Sequence, residues 1–515
     1  MARKKRFLAF DLGAESGRAV VGLLEGDQVR LKEVCRFPNG PVRILDSLHW
    51  DVLSLFSEMK RSLRKCIQQF GPELASIGLD TWGVDFALLN RDDQLIGNPY
   101  HYRDSRTDGM MEEAFRRVPR EEIFECTGIQ FMQLNTLYQL LAMAMGNSAQ
   151  LESAHRLLMM PDLFNFWLTG QKVCEFTEAT TTQFYDPRAA DWARPLLERL
   201  GLPIHILGEI VEPGTILGPL RLSVAEEVGA GQVPVIAPAC HDTGSAVAAV
   251  PFESASGEGC YISSGTWSLM GVEVDKPLIT PQSLEHNFTN EGGVCSTFRL
   301  LKNIMGLWLA QECRRIWARE GETYSYDELT RMAQQATPFA ALLNPDDPAF
   351  LHPTHMPAEI RAFCTRTGQP IPQDRGVTIR CVLESLALTY RSVLENLEAM
   401  LGRRLEVIHI VGGGSRNRLL CQFTSDATQR PVLAGPAEGT AIGNVLMQAL
   451  ALGEFSSLEE ARAVVCNSFD VARYEPGDPA AWDEAYEHFC RLAAPSGSSP
   501  RSQKGNRGQP SPSVH

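Results

Sequence analysis

The chain has 515 residues, which is too long for one hydrophobic core, and this length predicts about two to four domains. Hydrophobic residues make up 44% and charged residues 21%, as is typical of a globular protein. The net charge of −14 argues against a protein that binds nucleic acid or anionic membranes over a large surface.

No apolar run reaches the length of a membrane span, and the apolar start is too short for a signal peptide. None of the 13 cysteines stands in a C-x-x-C pair, which argues against a zinc ribbon or a thioredoxin-like site. We therefore expect a cytoplasmic protein whose cysteines are free thiols.

The first half opens with short apolar runs separated by turn residues. They predict a three-stranded meander, at residues 7–11, 19–24 and 29–37. Apolar residues at helical spacing predict a helix over 49–70, which Gly71 and Pro72 end. Residues 75–90 then read as strand, turn and strand.

The second half repeats this theme with a hairpin, several helices and further strands. The predicted elements are a hairpin at 257–274, helices at 298–320, 377–401, 416–428 and 439–453, and strands at 405–411 and 429–433. Strands that alternate with helices in both halves predict α/β domains, which we place at 1–247 and 248–490. Residues 495–515 are almost free of apolar side chains and predict a disordered tail.

Two glycine-rich turns, one in each half, are the most informative local feature. Residues 10–18 read FDLGAESGR and residues 261–269 read YISSGTWSL, and each turn lies between two apolar runs. The tip of such a hairpin exposes backbone N–H groups that converge on one point, which suits a phosphate. One such turn is weak evidence, but two in similar halves indicate a duplicated fold that holds nucleotide phosphates between its halves.

Longer strings over residues 7–485 resemble the sugar kinases of the FGGY carbohydrate kinase family. Besides the two turns, they are LDTWGVDF at 79–86, CHDTGS at 240–245, LKNIMGLW at 301–308 and VGGG at 411–414. The resemblance implies an α/β fold of two actin-like (ribonuclease-H-like) domains flanking a nucleotide and sugar cleft. It also implies a kinase that uses ATP and Mg²⁺ to phosphorylate a small ketose, with no nucleic acid or membrane partner. No pattern determines the oligomeric state.

Asp242 is the candidate general base. It follows the apolar run 233–239 and should emerge at the end of a strand or helix. Residue types alone favour a helix N-cap, because Thr243 and Gly244 follow it. The resemblance implies that Asp242 takes the proton of the sugar hydroxyl, and the two roles are compatible because a helix N-terminus keeps a carboxylate ionised.

The resemblance assigns the nucleotide to the two turns and to later segments. The ATP contacts that it implies are Ala14, Glu15, Ser16, Gly17, Arg18, Thr266, Asn303, Gln311 and Gly413. Asp11 would hold Mg²⁺, although it could instead accept N–H bonds from its own turn. Arg18 binds the γ-phosphate or forms a surface ion pair.

Some of these assignments carry open alternatives. The family often has a small hydroxyl residue where this chain has Glu15, and a carboxylate there would repel phosphates unless it points away or lies near Mg²⁺. Asn303 and Gln311 lie eight residues apart on one face of the predicted helix 298–320, which faces either the nucleotide or solvent. Thr266 either bonds a phosphate or stabilises its turn, and Gly413 either admits the nucleotide to the backbone or merely opens a helix.

The sugar contacts implied by the resemblance are Gly83, His241, Asp242 and Thr243. Trp82 is either an apolar wall of the sugar site or a core residue. Asp80 and Asp85 bind hydroxyls or satisfy turn N–H groups, and the polar segment 101–106 lines the cleft or is a solvated loop.

Two other functions remain open from the sequence. One is an FGGY kinase that acts on another ketose or on a polyol. The other is a non-catalytic actin-like ATPase module, against which the strings around Trp82 and Asp242 argue. A P-loop enzyme is disfavoured because the pattern G-x-x-x-x-G-K-[ST] is absent.

Overall fold

The structure is a computed structural model that describes residues 4–252 and 259–493. We call these two segments the N-terminal lobe and the C-terminal lobe. The predicted tail at 495–515 lies outside the described residues, and so does the start of the hairpin predicted at 257–274.

The N-terminal lobe is built on a six-stranded sheet. The strands of this lobe are β1 (Lys5–Leu12), β2 (Ser16–Glu25), β3 (Gln28–Pro38), β4 (Pro41–Ile44), β5 (Ser47–Trp50), β6 (Ser76–Thr81), β7 (Phe86–Leu89), β8 (Arg156–Met159), β9 (Val173–Glu175), β10 (Tyr185–Asp186), β11 (Asp191–Trp192), β12 (Glu209–Val211), β13 (Thr215–Pro219) and β14 (Pro234–Ala237). The sheet has the order β13-β14-β6-β1-β2-β3, with β6 parallel to both β1 and β14. The antiparallel β1-β2-β3 unit confirms the predicted meander.

Helices cover this sheet and extend the lobe. They are α1 (Val52–Phe70), α2 (Met110–Arg117), α3 (Arg120–Thr127), α4 (Thr136–Met145), α5 (Ala149–Glu152), α6 (Met160–Thr169), α7 (Phe176–Thr181), α8 (Arg194–Leu200), α9 (Leu222–Val228) and α10 (Asp242–Ala248). Helix α1 confirms the predicted helix. It begins where the Asp51 side chain accepts a bond from the Ser54 N–H, and it ends at Gly71, whose φ of 84° disfavours other residues.

The C-terminal lobe has its own seven-stranded sheet. Its strands are β15 (Gly259–Ser264), β16 (Trp267–Val274), β17 (Thr289–Gly292), β18 (Phe298–Met305), β19 (Val407–Val411), β20 (Val432–Ala434) and β21 (Ala472–Tyr474). The sheet has the order β17-β18-β16-β15-β19-β20-β21. As in the first sheet, an antiparallel unit adjoins a parallel pair. Here the unit has four strands, β17-β18-β16-β15, and the parallel pair is β15 and β19.

Helices follow or precede these strands throughout the lobe. They are α11 (Pro281–Glu285), α12 (Trp308–Arg319), α13 (Tyr326–Gln335), α14 (Met356–Arg366), α15 (Arg375–Leu401), α16 (Arg418–Thr428), α17 (Gly439–Ala451), α18 (Leu458–Ser468) and α19 (Ala480–Ala493). Short 3₁₀ turns lie at Ser105–Thr107, Pro348–Phe350 and Gly413–Arg416. The helices predicted at 377–401, 416–428 and 439–453 are confirmed.

The helix predicted at 298–320 is wrong in its first part. Residues 298–305 form β18, which pairs with β16 on one side and β17 on the other, and the helix begins only at Trp308. Periodicity cannot separate a short apolar run in a buried strand from a helix. The strand wins because it satisfies its backbone groups on both sides, and Gly306 allows the sharp exit: a Cβ there would lie 2.5 Å from Ser268 Oγ.

The two strands predicted within residues 75–90 are confirmed as β6 and β7. Strand β7 does not pair with β6 but with β8, in a separate two-stranded sheet. The chain therefore leaves the main sheet at residues 82–85, beside the end of β6. At this exit Thr81 forms a parallel bridge with His241 of the segment that follows β14, and Gly83 lies beside the same histidine.

One helix of the C-terminal lobe completes the N-terminal lobe. Helix α17 packs on β1 and β6 and crosses α10 so closely that a Cβ on Gly443 would lie 1.7 Å from the Ser245 carbonyl oxygen. Its Asn444 Nδ2 donates to Asp80 Oδ2 at 2.6 Å, and Gln448 Oε1 accepts from Ser76 Oγ at 2.7 Å. The two lobes are thus joined by a buried polar contact, and the boundary at residues 247 and 248 stays a prediction.

No helix in the described ranges 4–252 and 259–493 is both long and apolar enough to cross a bilayer.

Candidate active site

A cleft of about 480 Å³ lies between the lobes and is lined by residues of both. The predicted site residues that line it are Asp11, Ala14, Glu15, Ser16, Arg18, Gly83, His241, Asp242, Thr243, Thr266, Asn303, Gln311 and Gly413. Gly17 does not line the cleft. A Cβ on Gly17 would lie 2.3 Å from the Phe37 ring, so this glycine permits the packing of β2 against β3.

The first glycine turn joins β1 to β2 at the cleft. Gly13 N donates to the Ser16 carbonyl at 3.0 Å, and Asn39 Nδ2 donates to the Gly13 carbonyl at 2.8 Å. Arg18 donates to Asp11 Oδ2 at 2.6 and 2.9 Å and also pairs with Glu438 of the C-terminal lobe. The predicted phosphate ligand and the predicted metal ligand are therefore ion-paired with each other.

Glu15 points away from the turn and towards the other lobe. Its Oε1 accepts from Arg315 Nη2 of α12 at 2.9 Å, and both side chains are roughly two-fifths exposed, at 37% and 43%. Glu15 stands where the family often has a small hydroxyl residue, and here Arg315 offsets the charge of its carboxylate.

The second glycine turn joins β15 to β16 and carries the start of α12. Leu307 N donates to the Gly265 carbonyl and Trp308 N to the Thr266 carbonyl, each at 3.1 Å. The turn therefore fixes where α12 begins, and α12 in turn brings Gln311 to the cleft.

Asn303 and Gln311 do not share a helix face as predicted. Asn303 lies on β18 and Gln311 on α12, yet both line the cleft because the chain reverses at Gly306. The Asn303 Nδ2 donates to Gln130 Oε1 at 3.2 Å, a contact between the lobes.

The third glycine segment follows β19. Gly414 packs against Ser264, since a Cβ there would lie 2.0 Å from Ser264 Oγ, and Gly412 has a φ of 83°. A Cβ on Gly413, by contrast, would meet no atom within 4 Å, and this residue lines the cleft. Its backbone is therefore open to the cleft, and its contact with the nucleotide stays a prediction.

Asp242 stands at the start of α10, in the middle of the cleft. The Thr81 N–H donates to the Cys240 carbonyl at 2.8 Å, which aligns the end of β6 with the segment before α10. The N-cap position belongs to His241, so the N-cap interpretation of Asp242 is wrong. The Asp242 side chain is 31% exposed and accepts from Thr243 Oγ1 at 3.1 Å.

The electrostatic surroundings of Asp242 favour a proton. Burial raises the pKa of the Asp242 carboxyl above its ordinary value, and the nearby Asp11 carboxylate raises it further. A carboxylate with a raised pKa is a stronger base than a solvated one, which suits a group that accepts a proton from an alcohol.

Two residues of the C-terminal lobe that the sequence analysis missed surround His241. Its Nδ1 lies 3.3 Å from Glu291 Oε2 and 3.3 Å from Arg299 Nη2, and its Nε2 lies 3.6 Å from Asp242 Oδ1. Burial alone would raise the pKa of Glu291, but His241 and Arg299 lower it below its ordinary value. The signal that could have revealed them is a charged residue within each of two short buried strands: Glu291 in β17 and Arg299 in β18.

We call the part of the cleft around Trp82, Gly83 and Tyr102 the sugar end, after the ligand predicted there. It is aromatic and closely packed. Trp82 and Tyr102 line it, and Gly83 lies between Thr181 and His241, where a Cβ would come within 3.0 and 3.3 Å of their side chains. Asp80 and Asp85 are fully buried and do not line the cleft.

The polar segment 101–106 lies at the cleft and is not a solvated loop. Arg103 Nη1 donates to the Leu351 carbonyl of the C-terminal lobe at 2.6 Å, and its guanidinium lies 4.0 Å from the centre of the Trp308 ring. This segment therefore adds a further contact between the lobes to those already described.

We call the part of the cleft beside the two glycine turns the phosphate end, after the ligand predicted there. Its donor set fits a Mg²⁺ ion that binds together with a nucleotide. Among the described residues, no group of three His, Cys, Asp or Glu side chains could hold a metal ion. Mg²⁺ typically takes one or two carboxylates, with phosphate and water oxygens filling the other positions. Arg18 donates only to Oδ2 of Asp11, which leaves Oδ1 without a bond to Arg18.

Comparison with known families gives two matches that together cover most of the chain. Residues 6–249 match the N-terminal domain of the FGGY family of carbohydrate kinases, and residues 260–452 match its C-terminal domain.

Curated relatives are similar over nearly their whole length. A rhamnulokinase of Bacteroides thetaiotaomicron is 47% identical over 486 residues, which cover 94% of this chain and 99% of the relative. A rhamnulokinase of Halalkalibacterium halodurans is 44% identical over 471 residues, with 92% and 99% covered.

Solved structures show the same fold at low sequence identity. Gluconate kinase from Lactobacillus acidophilus has a TM-score of 0.77 at 16% identity, over 95% of this chain and 98% of that one. Xylulose kinase from the same organism has a TM-score of 0.77 at 16% identity, over 95% and 97%. The predicted fold class, two actin-like domains around a cleft, is confirmed.

Proposed function

The chain belongs to the FGGY family of carbohydrate kinases, and from this premise we propose that it is an ATP-dependent kinase that converts L-rhamnulose to L-rhamnulose 1-phosphate in rhamnose catabolism. The observation that carries the proposal is the meeting of two glycine turns, one from each lobe, with Asp242 in a single cleft. The rhamnulokinase relatives, at 47% and 44% identity, support L-rhamnulose over other sugars.

Asp242 acts as the general base. Its carboxylate accepts the proton of the hydroxyl on carbon 1 of the ketose, and the hydroxyl oxygen forms a bond to the γ-phosphorus of ATP. The bond from that phosphorus to the bridging oxygen of ADP breaks, so the products are the ketose 1-phosphate, ADP and one proton.

The nucleotide phosphates bind between the two turns. Backbone N–H groups of Ala14, Glu15 and Ser16 face the phosphates from one lobe, and Thr266 faces them from the other. Arg18 exchanges its bonds to Asp11 and Glu438 for a phosphate oxygen. The remaining ATP contacts are Asn303, Gln311 and Gly413.

Asp11 is the Mg²⁺ ligand in this proposal. The ion, when bound with ATP, neutralises charge on the phosphate oxygens. When the nucleotide binds, Arg18 moves from Asp11 to the phosphates. The same movement would free the Asp11 carboxylate to bind the ion.

The ketose lies against Trp82 and Gly83, with His241, Asp242 and Thr243 at its reactive end. Buried polar groups select a sugar strongly, because a ligand that fails to pair with them leaves them unsatisfied. We place the enzyme in the cytoplasm, where ATP and the ketose are available, and we propose no nucleic acid or membrane partner.

The test is a coupled assay of ADP release with a panel of ketoses and polyols, including L-rhamnulose, D-xylulose, gluconate and glycerol. We expect kcat/KM for L-rhamnulose to exceed the others by about tenfold or more. A higher kcat/KM for another sugar would show an FGGY kinase of different specificity. ATP hydrolysis that no sugar stimulates would indicate the non-catalytic ATPase module.

A further inference from the structure

Four aromatic rings form a continuous stack beside the sugar end of the cleft. The ring centres of Trp82 and Trp50 are 3.9 Å apart, those of Trp50 and His101 4.2 Å, and those of His101 and Tyr102 4.5 Å. The two end rings, Trp82 and Tyr102, line the cleft, whereas the two middle rings do not. The surface that faces a ligand therefore depends on how the middle of the stack is held.

The Asp85 carboxylate holds this stack from behind. Its Oδ2 accepts from Trp50 Nε1 at 2.5 Å, from Trp82 Nε1 at 3.0 Å and from the Tyr102 backbone N–H at 3.2 Å. One oxygen atom thus ties together three segments that are far apart in sequence.

The other carboxylate oxygen is anchored to the helical part of the lobe. Asp85 Oδ1 accepts from Gln139 Nε2 of α4 at 2.8 Å, and Gln139 Oε1 accepts from Arg106 Nη2 at 2.7 Å. Arg106 in turn lies 3.9 Å from the centre of the Tyr100 ring. All of the direct hydrogen-bond partners of Asp85 are therefore neutral donors. The positive charge that balances its carboxylate is that of Arg106, which reaches it through Gln139.

Asp85 cannot touch a ligand in this arrangement. The residue is 0% exposed and does not line the cleft. An amide in place of the carboxylate would keep the shape of the side chain but would present N–H groups where an acceptor is needed, leaving buried donors unpaired.

We propose that Asp85 is a positioning residue that fixes Trp82 and Tyr102 as the wall of the sugar end, and that it thereby sets the affinity for the ketose without contacting it. The inference rests on the proposed function, because it takes this end of the cleft as the ketose site. It predicts a defect that is selective for one of the two substrates.

The experiment compares steady-state kinetics of the full-length enzyme with those of two variants. Asp85→Asn removes the charge, and Trp50→Phe keeps a ring in the stack but removes one N–H donor from a residue that does not line the cleft. We expect KM for L-rhamnulose to rise about tenfold or more in Asp85→Asn and about threefold in Trp50→Phe, with KM for ATP within about twofold of wild type in both.

The matched control is Glu384→Gln in the C-terminal lobe. Like Asp85, Glu384 is 0% exposed, accepts from a backbone N–H and a side chain, and does not line the cleft. Its partners Phe339 and Arg380, unlike Trp82 and Tyr102, do not line the cleft either. We expect this variant to lower the melting temperature without changing either KM.

Three results would overturn the inference: an unchanged KM for the ketose in both Asp85→Asn and Trp50→Phe, equal changes in the two KM values, or a ketose KM in Glu384→Gln that rises as much as in Asp85→Asn. If Asp85→Asn does not fold, Trp50→Phe alone decides, and a ketose KM like that of wild type overturns the inference. Failure of the proposed function is distinct, since wild-type enzyme would then fail to phosphorylate L-rhamnulose or would prefer another sugar.

Discussion

The phosphate end of the cleft and its sugar end are built from different kinds of group. At the phosphate end, backbone turns and glycines face the cleft. The charged side chains around them range from Asp11 and Arg18, at 11% and 14% exposed, to Glu438 and Glu15, at 31% and 37%. At the sugar end, buried rings rest on Asp85, and the buried pair Glu291 and Arg299 faces His241.

This difference predicts which substitutions each end should tolerate. Water and salt screen exposed charges such as that of Glu15, so single ion pairs of that kind are weak, and we expect the shape of the backbone to contribute most of the phosphate binding. Charges at the sugar end are out of water, so loss of one partner leaves the other unsatisfied. The comparison is sharpest where the two ends meet, at Asp242.

The largest expected effect is that of Asp242→Asn. The amide keeps the size of the side chain but cannot accept the proton, so we expect kcat to fall by about 10²–10⁴-fold. Binding of a non-hydrolysable ATP analogue, measured by calorimetry, should stay within about threefold of wild type. A turnover close to that of wild type would show that the reaction does not use the Asp242 carboxylate as its base.

The next effect concerns the backbone of the phosphate end. In Gly413→Leu the new side chain would fill open space in the cleft, so we expect KM for ATP to rise about tenfold, or ~1.4 kcal/mol, with KM for the ketose unchanged. Gly231→Leu is the matched control, because Gly231 is exposed and a Cβ there also meets no atom within 4 Å. Equal KM values for ATP in the two variants would contradict the assignment of Gly413 to the nucleotide.

A third prediction uses pH to test the sugar end. Burial raises the pKa of Asp85 to about 6, against the opposing effect of its Gln139, Trp50 and Trp82 donors. As the pH falls through about 6, the carboxyl gains a proton and accepts these N–H bonds less well, so we expect KM for the ketose to rise severalfold between about pH 7 and about pH 5. The measurement is made at saturating MgATP.

The charged and titratable groups that face Asp85 do not reverse the expected rise of the ketose KM at low pH. Arg106 stays charged and favours the carboxylate, and burial raises the pKa of Glu178 well above its ordinary value. Burial lowers the pKa of His101 to about 3, so this ring stays neutral over the range tested. In Asp85→Asn the rise should be absent, and its persistence there would assign it to another group.

The smallest expected effect is that of Glu15→Ser, which removes the ion pair with Arg315. Because both side chains are partly exposed, we expect KM for ATP to change by less than about threefold and the melting temperature by less than about 2 °C. Glu122→Ser, which removes the similarly exposed pair with Arg199 away from the cleft, is the control. A change much larger than that of the control would mean that Glu15 acts on the nucleotide directly.

Much of the phosphate end was predictable because each of its parts is local in sequence. The turn at 10–18, the turn at 261–269 and the glycines at 412–414 each combine an apolar strand with a residue that allows close backbone approach. The error at 298–305 was also local: a short apolar run carries no period that separates strand from helix.

The sequence by itself determined the family, the paired turns and the candidate base Asp242, because these depend on short strings whose chemistry is fixed by neighbouring residues. Only the tertiary structure decided what Asp85 and Glu291 do. The partners of Asp85 come from residues 50, 82, 102 and 139, and Glu291 meets His241 from the opposite lobe. A buried carboxylate accepts hydrogen bonds from the donors that folding brings to it, and the positions of those donors follow no fixed spacing along the chain.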